Sequence, residues 1–155
     1  MKKNSLYLNN QLCFALYSAT NAIVRYYNKY LNPLGITYTQ YLVFITLWDK
    51  DRQTIHQIAN KLKLSPSTIS PIIKRLVSLN FLEKNRNTND ERIVFVKLTK
   101  LGYELEKKVS KVQELVVCKT KLSEIAFQKM KNELNILTES LEIEEKDTPI
   151  KKIIG

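Results

Sequence analysis

The sequence predicts a mainly α-helical chain with one small β-wing, and three observations lead there. Long stretches repeat apolar residues at the three- and four-residue spacing of amphipathic helices. A short helical segment is followed almost at once by Ser65-Pro66, a helix start, which gives the outline of a helix-turn-helix. After Phe81 the period changes, and two short runs flank a polar loop, the pattern of a β-hairpin. A helix pair followed by a hairpin makes a winged helix-turn-helix.

The first helix spans about Asn9 to Leu31, with Leu12, Leu16, Ala19, Ile23, Tyr27 and Tyr30 on one stripe. Asn9 or Asn10 is the expected N-cap, and Pro33–Gly35 ends the helix. A helix this long and apolar along one side needs a partner to cover it. The second helix, Tyr38 to Asp49, is capped by Thr37, and its run Tyr41–Ile45 belongs at the centre of the core. Thr54 and Gln57 have capping-box spacing and start a short helix that ends near Lys63. With Ser65 as N-cap and Pro66 at the first position, the next helix reaches about Asn80, with Ile69, Ile72, Ile73, Leu76 and Val77 inward. Pro71, inside it, removes one backbone bond and is expected to tighten or kink the turn. Strands Leu82–Asn85 and Ile93–Leu98 flank the polar loop 86–92. Thr99 caps a helix from Lys100 to Lys119, Ser123 starts the last helix to about Leu141, and residues 143–155 form a charged, frayed tail.

Composition narrows the function. The 155 residues carry 25 Lys+Arg against 15 Asp+Glu, a formal +10, which favours polyanionic partners. The most apolar stretch, Tyr41–Trp48, broken only by Thr46, falls far short of the ~20 residues that span a bilayer. Lys2 and Lys3 are followed by no apolar segment of the signal-peptide kind, so a cytoplasmic protein is expected, with no membrane partner. Two cysteines and one histidine, unclustered, exclude a zinc site built from those residues alone. Three glycines leave no phosphate-cradling loop, and no cofactor is expected.

Residues 51–100 hold ten Lys/Arg against four Asp/Glu, so +6 of the +10 lies there. On the second helix of the pair, the non-core residues are Ser67, Thr68, Ser70, Lys74 and Arg75. Small hydroxyls near a helix N-terminus allow close approach to base edges, while Lys74 and Arg75 suit phosphate contacts. Arg86 and Arg92 flank the hairpin tip, where an arginine can enter a narrow minor groove, and Asp90 can hold one of them in position. A merely solvated polar face is the bland alternative. Helix pair, charged hairpin and basic bias together point to double-stranded DNA.

Asp90-Glu91-Arg92, followed after five residues by Leu98-Thr99, resembles the wing signature of the MarR family of winged-helix repressors. Gln11–Tyr17, Thr37–Leu42 and Ser70–Arg75 are similar to its OhrR-like, staphylococcal thiol-based oxidation-sensing branch, and the likeness covers residues 8–142. The resemblance implies a homodimer on a palindromic operator, with dimerisation helices in residues 1–35 and 100–142 and the winged helix-turn-helix in 36–99. It also makes Pro71 a family feature.

Cys13 lies in the first turn of its helix, where free N–H groups and the dipole favour a thiolate, and Tyr17 is one turn along. By resemblance Cys13 is a sensor that a peroxide oxidises, held by tyrosines matching Tyr27 and Tyr38 of the partner subunit, with Tyr17 supporting. Cys118 stands near the position of a resolving cysteine that pairs with the sensor of the other subunit. The subclass lacking that residue uses a small external thiol instead, and a buried structural thiol beside Val116 and Val117 is a further alternative for Cys118. These readings describe a stoichiometric sensor, not an enzyme. A repressor released by a small phenolic ligand is the nearest rival. A thiol peroxidase would need a base or a C-x-x-C pair beside Cys13, and neither is present. A membrane-surface protein would need its charge on a long amphipathic face.

Overall fold

The computed structural model describes residues 7–86 and 93–147. A 3-10 turn (Leu8–Asn10) leads into α1 (Leu12–Leu31), then a second 3-10 turn (Asn32–Leu34) and α2 (Tyr38–Asp49). Next come β1 (Gln53–Thr54), α3 (Ile55–Lys61), α4 (Pro66–Ser78), β2 (Leu82–Arg86) and β3 (Val94–Leu98). The helices α5 (Lys100–Thr120) and α6 (Glu124–Asp147) complete the described chain. By internal contacts the chain divides after Val116, and the two parts are described separately.

Short-range capping sets most of the boundaries. Thr37 and Gln40 form a reciprocal box at the start of α2, the Thr37 N–H donating to Gln40 Oε1 at 2.9 Å. Thr54 and Gln57 repeat it at α3, with bonds of 2.8 and 3.2 Å. Ser65 Oγ accepts from the Thr68 N–H at 3.2 Å, and Ser123 Oγ from that of Ala126 at 3.3 Å. Gly35 leaves the second 3-10 turn at φ 75°, a left-handed conformation that suits a residue without Cβ. Asn80 does the same after α4 at φ 58°, and the Phe81 N–H then closes back on the Leu76 carbonyl.

Four boundaries depart from expectation. The N-cap of α1 is Gln11, without a capping bond from its side chain, because Leu8–Asn10 coil into their own 3-10 turn ahead of the helix. The connection between α3 and α4 occupies Leu62–Ser65, with Lys63 at φ 53°. The strand β1 is unanticipated, since two residues carry no period. The backbone of α6 continues past Leu141 to Asp147, because nothing from Glu142 to Asp147 breaks a helix and Pro149 is the first residue that does.

The three strands pair antiparallel in the order β1-β3-β2, with Gln53 opposite Val96 and Leu82 opposite Leu98. Gln53 is buried, and its amide donates to the carbonyls of Thr46 (2.8 Å) and Lys50, so one side chain closes the end of α2 and starts the sheet. Phe44, Leu47, Ile58, Ile69, Ile73, Leu76, Val96 and Leu98 fill the core beneath that sheet. Leu105, Val109, Val112 and Val116 extend it along α5.

The start of α5 is fastened to the turn before β2. Thr99 Oγ1 donates to the carbonyls of Asn80 (2.7 Å) and Phe81 (3.1 Å) and accepts from the Gly102 N–H at 3.3 Å. The Trp48 indole N–H donates to the Gly102 carbonyl at 3.1 Å, while its ring stacks on Phe44 at 5.4 Å. A Cβ at position 102 would lie 2.5 Å from the Phe81 carbonyl oxygen and 2.9 Å from Leu98 Cδ2. Gly102→Ala is therefore expected to lower stability by about 1–3 kcal/mol through overpacking, seen as a lower midpoint in thermal unfolding.

Candidate DNA interface and thiol site

The packing of α3 against α4 through Ile58, Ala59, Ile69, Ile73 and Leu76 turns the opposite side of α4 outward. Ser67, Thr68, Lys74 and Arg75 are exposed there, and Ser70 is half-buried. The hydroxyls are organised: Ser65 Oγ lies 2.7 Å from Ser67 Oγ and 2.8 Å from Thr68 Oγ1. Ser70 Oγ donates to the Pro66 carbonyl at 2.8 Å, the back-bond by which a serine in a helix satisfies its own hydroxyl. The helix runs without interruption through Pro71, whose ring is on the exposed side and displaces nothing from the core. Arg86 ends β2 with its side chain exposed, whereas Asp90 and Arg92 lie outside the described residues.

Behind the hairpin the exposed charges are tied down. Lys97 Nζ pairs with Glu83 Oε1 at 2.8 Å, which holds the Glu83 carboxyl below its usual range, and the Arg52 guanidinium sits 4.7 Å from the centre of the Phe95 ring. Asp51 bridges two elements, accepting from the Leu98 N–H and from the Tyr103 hydroxyl at 2.9 Å each.

Cys13 is the second residue of α1 and is exposed, not inert in a core. Tyr17, one turn along, is 66% exposed. Tyr27 and Tyr38 meet at the other end of α1, with ring centroids 4.9 Å apart, and Tyr41 stands 5.6 Å from Tyr27 and 6.4 Å from Tyr38. Fourteen residues of one continuous helix separate Cys13 from Tyr27. At 1.5 Å per residue that is about 21 Å, so the tyrosines cannot hold the thiol of their own chain. Asn28 Oδ1 accepts from the Tyr38 N–H at 3.0 Å and ties the first turn of α2 to α1.

Two members of this cluster, Tyr41 and Asn28, were not legible as site residues. Tyr41 reads in sequence as part of an apolar run, and nothing in the spacing links Asn28 to a residue ten positions away. In the part beginning at Val117, Cys118 is exposed and not a buried thiol beside its valines. Ile125, Met130, Leu134 and Ile136 of α6 are exposed as well.

The family described as "Transcriptional regulator SarA/Rot" matches residues 25–115, from the tyrosine cluster through the helix pair and hairpin into α5. The chain belongs to that family of MarR-like winged-helix transcriptional regulators. It is similar to the organic hydroperoxide resistance transcriptional regulator of Bacillus subtilis (strain 168), 31% identical over 140 residues, which are 90% of this chain and 95% of that one. It is 33% identical to the HTH-type transcriptional regulator MgrA of Staphylococcus aureus over 118 residues, 76% of this chain and 80% of MgrA. Reduced AbfR bound to DNA has a TM-score of 0.77 and 31% identity, over 92% of this chain and 97% of that one. AbfR is a Staphylococcus epidermidis protein, and a disulfide-formed state of it matches with a TM-score of 0.62 and 32% identity over 84% and 92% of the two chains. The Bacillus subtilis protein and MgrA are regulators of transcription, as the helix pair and wing led one to expect. No described helix is long and apolar enough to cross a membrane.

The phenol of Tyr27 is pushed up to about 12 by burial first and then by Tyr41 and Tyr38, and burial raises Tyr38 and Tyr41 too. An unfolded tyrosine ionises near 10, so above that pH the unfolded chain binds fewer protons than the folded one. The cluster's stabilisation is present below about pH 10 and lost as pH rises towards 12. Denaturant unfolding across this window should show stability falling, and Tyr27→Phe should flatten the fall. A tyrosinate absorbance titration should find the cluster ionising after freely exposed phenols.

Proposed function

We propose that the chain is a homodimeric transcriptional repressor that binds a palindromic operator in duplex DNA and is released when a peroxide oxidises Cys13. The observation that carries this reading is the separation of sensor from cage. An exposed thiol stands at one end of α1, and a cluster of three tyrosines stands about 21 Å along the same helix, so only a second copy can bring them together. Two copies of α1 crossing antiparallel would place each Cys13 and Tyr17 beside the Tyr27 and Tyr38 of the other chain. Exposed Leu12, Phe14 and Ile23 on α1 supply surface for that pairing. In this reading residues 1–35 and 100–142 dimerise and 36–99 read DNA. Similarity to an organic hydroperoxide resistance regulator, and to AbfR, solved both reduced on DNA and with its disulfide formed, supports the redox half.

The chemistry balances simply. The Cys13 thiolate attacks a peroxide oxygen, the O–O bond breaks, and a sulfenic acid and an alcohol (or water) are the products. The thiol of the partner's Cys118 then condenses with the sulfenic acid, forming the S–S bond and releasing water. The altered sulfur no longer fits against the tyrosine hydroxyls. A shift there changes the spacing of two α4 helices that must enter major grooves about one turn apart, and affinity falls. Ser67, Thr68 and Ser70 would lie against base edges, Lys74 and Arg75 on phosphates, and Arg86 and Arg92, positioned by Asp90, on the wing side.

The test is a binding titration on a labelled duplex from immediately upstream of the coding sequence, before and after stoichiometric cumene hydroperoxide. The wild-type chain is expected to bind when reduced and to lose at least tenfold in affinity when oxidised, with a reductant restoring it. Cys13→Ser should hold the duplex under both conditions. Cys118→Ser should stop at the sulfenic acid and form no covalent dimer on a non-reducing gel. Unchanged affinity of the oxidised wild type would overturn the redox reading and leave the DNA reading in place.

A further inference from the structure

We infer that Lys84 is a DNA-phosphate ligand that acts together with Arg86, the two forming a cationic row on the face of the wing turned towards α4. This rests on the DNA-binding reading above and extends it to a residue that neither the charge count nor the wing signature singles out.

The argument is one of strand parity. In the β2–β3 pairing Leu82 lies opposite Leu98, Lys84 opposite Val96, and Arg86 opposite Val94. Residues directly opposite share a face, and alternate residues of a strand return to it. Leu82, Val96 and Leu98 are buried, so this is the face laid on the core. Lys84 and Arg86 continue the same row to where the core ends, and both are exposed. A cavity of about 320 Å³ on the β1 side of that end is lined by Val94 and Ile93, by Thr54, Ile55 and His56, and by Pro66 and Ser70 of α4. Val94, the residue opposite Arg86, thus shares a cavity with the first turns of α4, where Ser67 and Thr68 are exposed.

The opposite face of the wing behaves differently. Lys97 is held by Glu83, and Arg52 lies over Phe95, so its cations are engaged within the chain. Neither Lys84 nor Arg86 makes an ion pair with a described residue. Two cations at alternate positions of a strand stand about 6.6 Å apart, a spacing fit for neighbouring anionic groups on one polymer strand. Their task is to position the wing, not to read sequence.

Counting released counterions tests this. Affinity for the upstream duplex, and for a scrambled duplex of the same length, is measured across a salt series with wild type, Lys84→Gln, Arg86→Gln, the double variant, and Lys97→Gln as an equal charge change on the other face. Each phosphate contact contributes about 0.9 to the slope of log K against log salt. Lys84→Gln and Arg86→Gln should each lower the slope by about 0.9 per bound chain and the double variant by about 1.8, on both duplexes, with Lys97→Gln leaving it unchanged. Thermal unfolding of each variant guards against a folding defect. If Lys84→Gln loses no more slope than Lys97→Gln while wild type binds with a steep slope, the inference fails and the DNA reading survives. If wild type binds neither duplex, the DNA reading itself falls and takes the inference with it.

Discussion

The first turn of α5 passes so close to the turn before β2 that a methyl group at position 102 would lie 2.5 Å from the Phe81 carbonyl oxygen. Only a glycine allows that approach, and three elements depend on it. Thr99 spans the contact with its hydroxyl, Trp48 reaches the Gly102 carbonyl from α2, and Phe81 meets Phe44 edge-on at 5.6 Å. The base of the wing, the long helix and the central core helix therefore meet at one residue.

A second constraint is the length of α1. A helix is a rigid spacer at this scale, and it keeps the thiol and the tyrosine cluster apart within one chain. The tyrosines are packed on the core through Tyr41 and Trp48, which lie 6.4 Å apart, and through the Asn28 bond to Tyr38. In the proposed dimer they would form the fixed half of a site whose other half is the thiol exposed at the start of the partner's helix. Burial keeps their phenols protonated well above neutral pH, so they can donate hydrogen bonds to an anionic sulfur. A covalent change at that sulfur would thus meet an unyielding surface.

Charge is distributed with similar economy. Lys97 and Glu83 neutralise each other on the outer face of the sheet, while the exposed cations of α4 and β2 sit on the side of the helix pair. Exposed pairs of this kind add little to stability. Their effect is to leave the chain's excess positive charge concentrated where a polyanion could meet it.

Most of the helical architecture was legible in the sequence, because caps and periodicity act over three or four residues. Thr37, Thr54, Ser65, Thr99 and Ser123 each name a helix start, and each makes the bond its spacing implies. The MarR-like family was legible as well, since its wing and cysteine motifs are contiguous. What tertiary structure alone decided were the features that depend on contacts between distant residues. The two-residue strand β1 exists because Gln53 finds the end of α2 and Val96 supplies a pairing partner. Tyr41 and Asn28 join the tyrosine cluster because α2 folds back along α1. Lys84 shares a face with Arg86 because register, not composition, decides which way an alternate residue of a strand points.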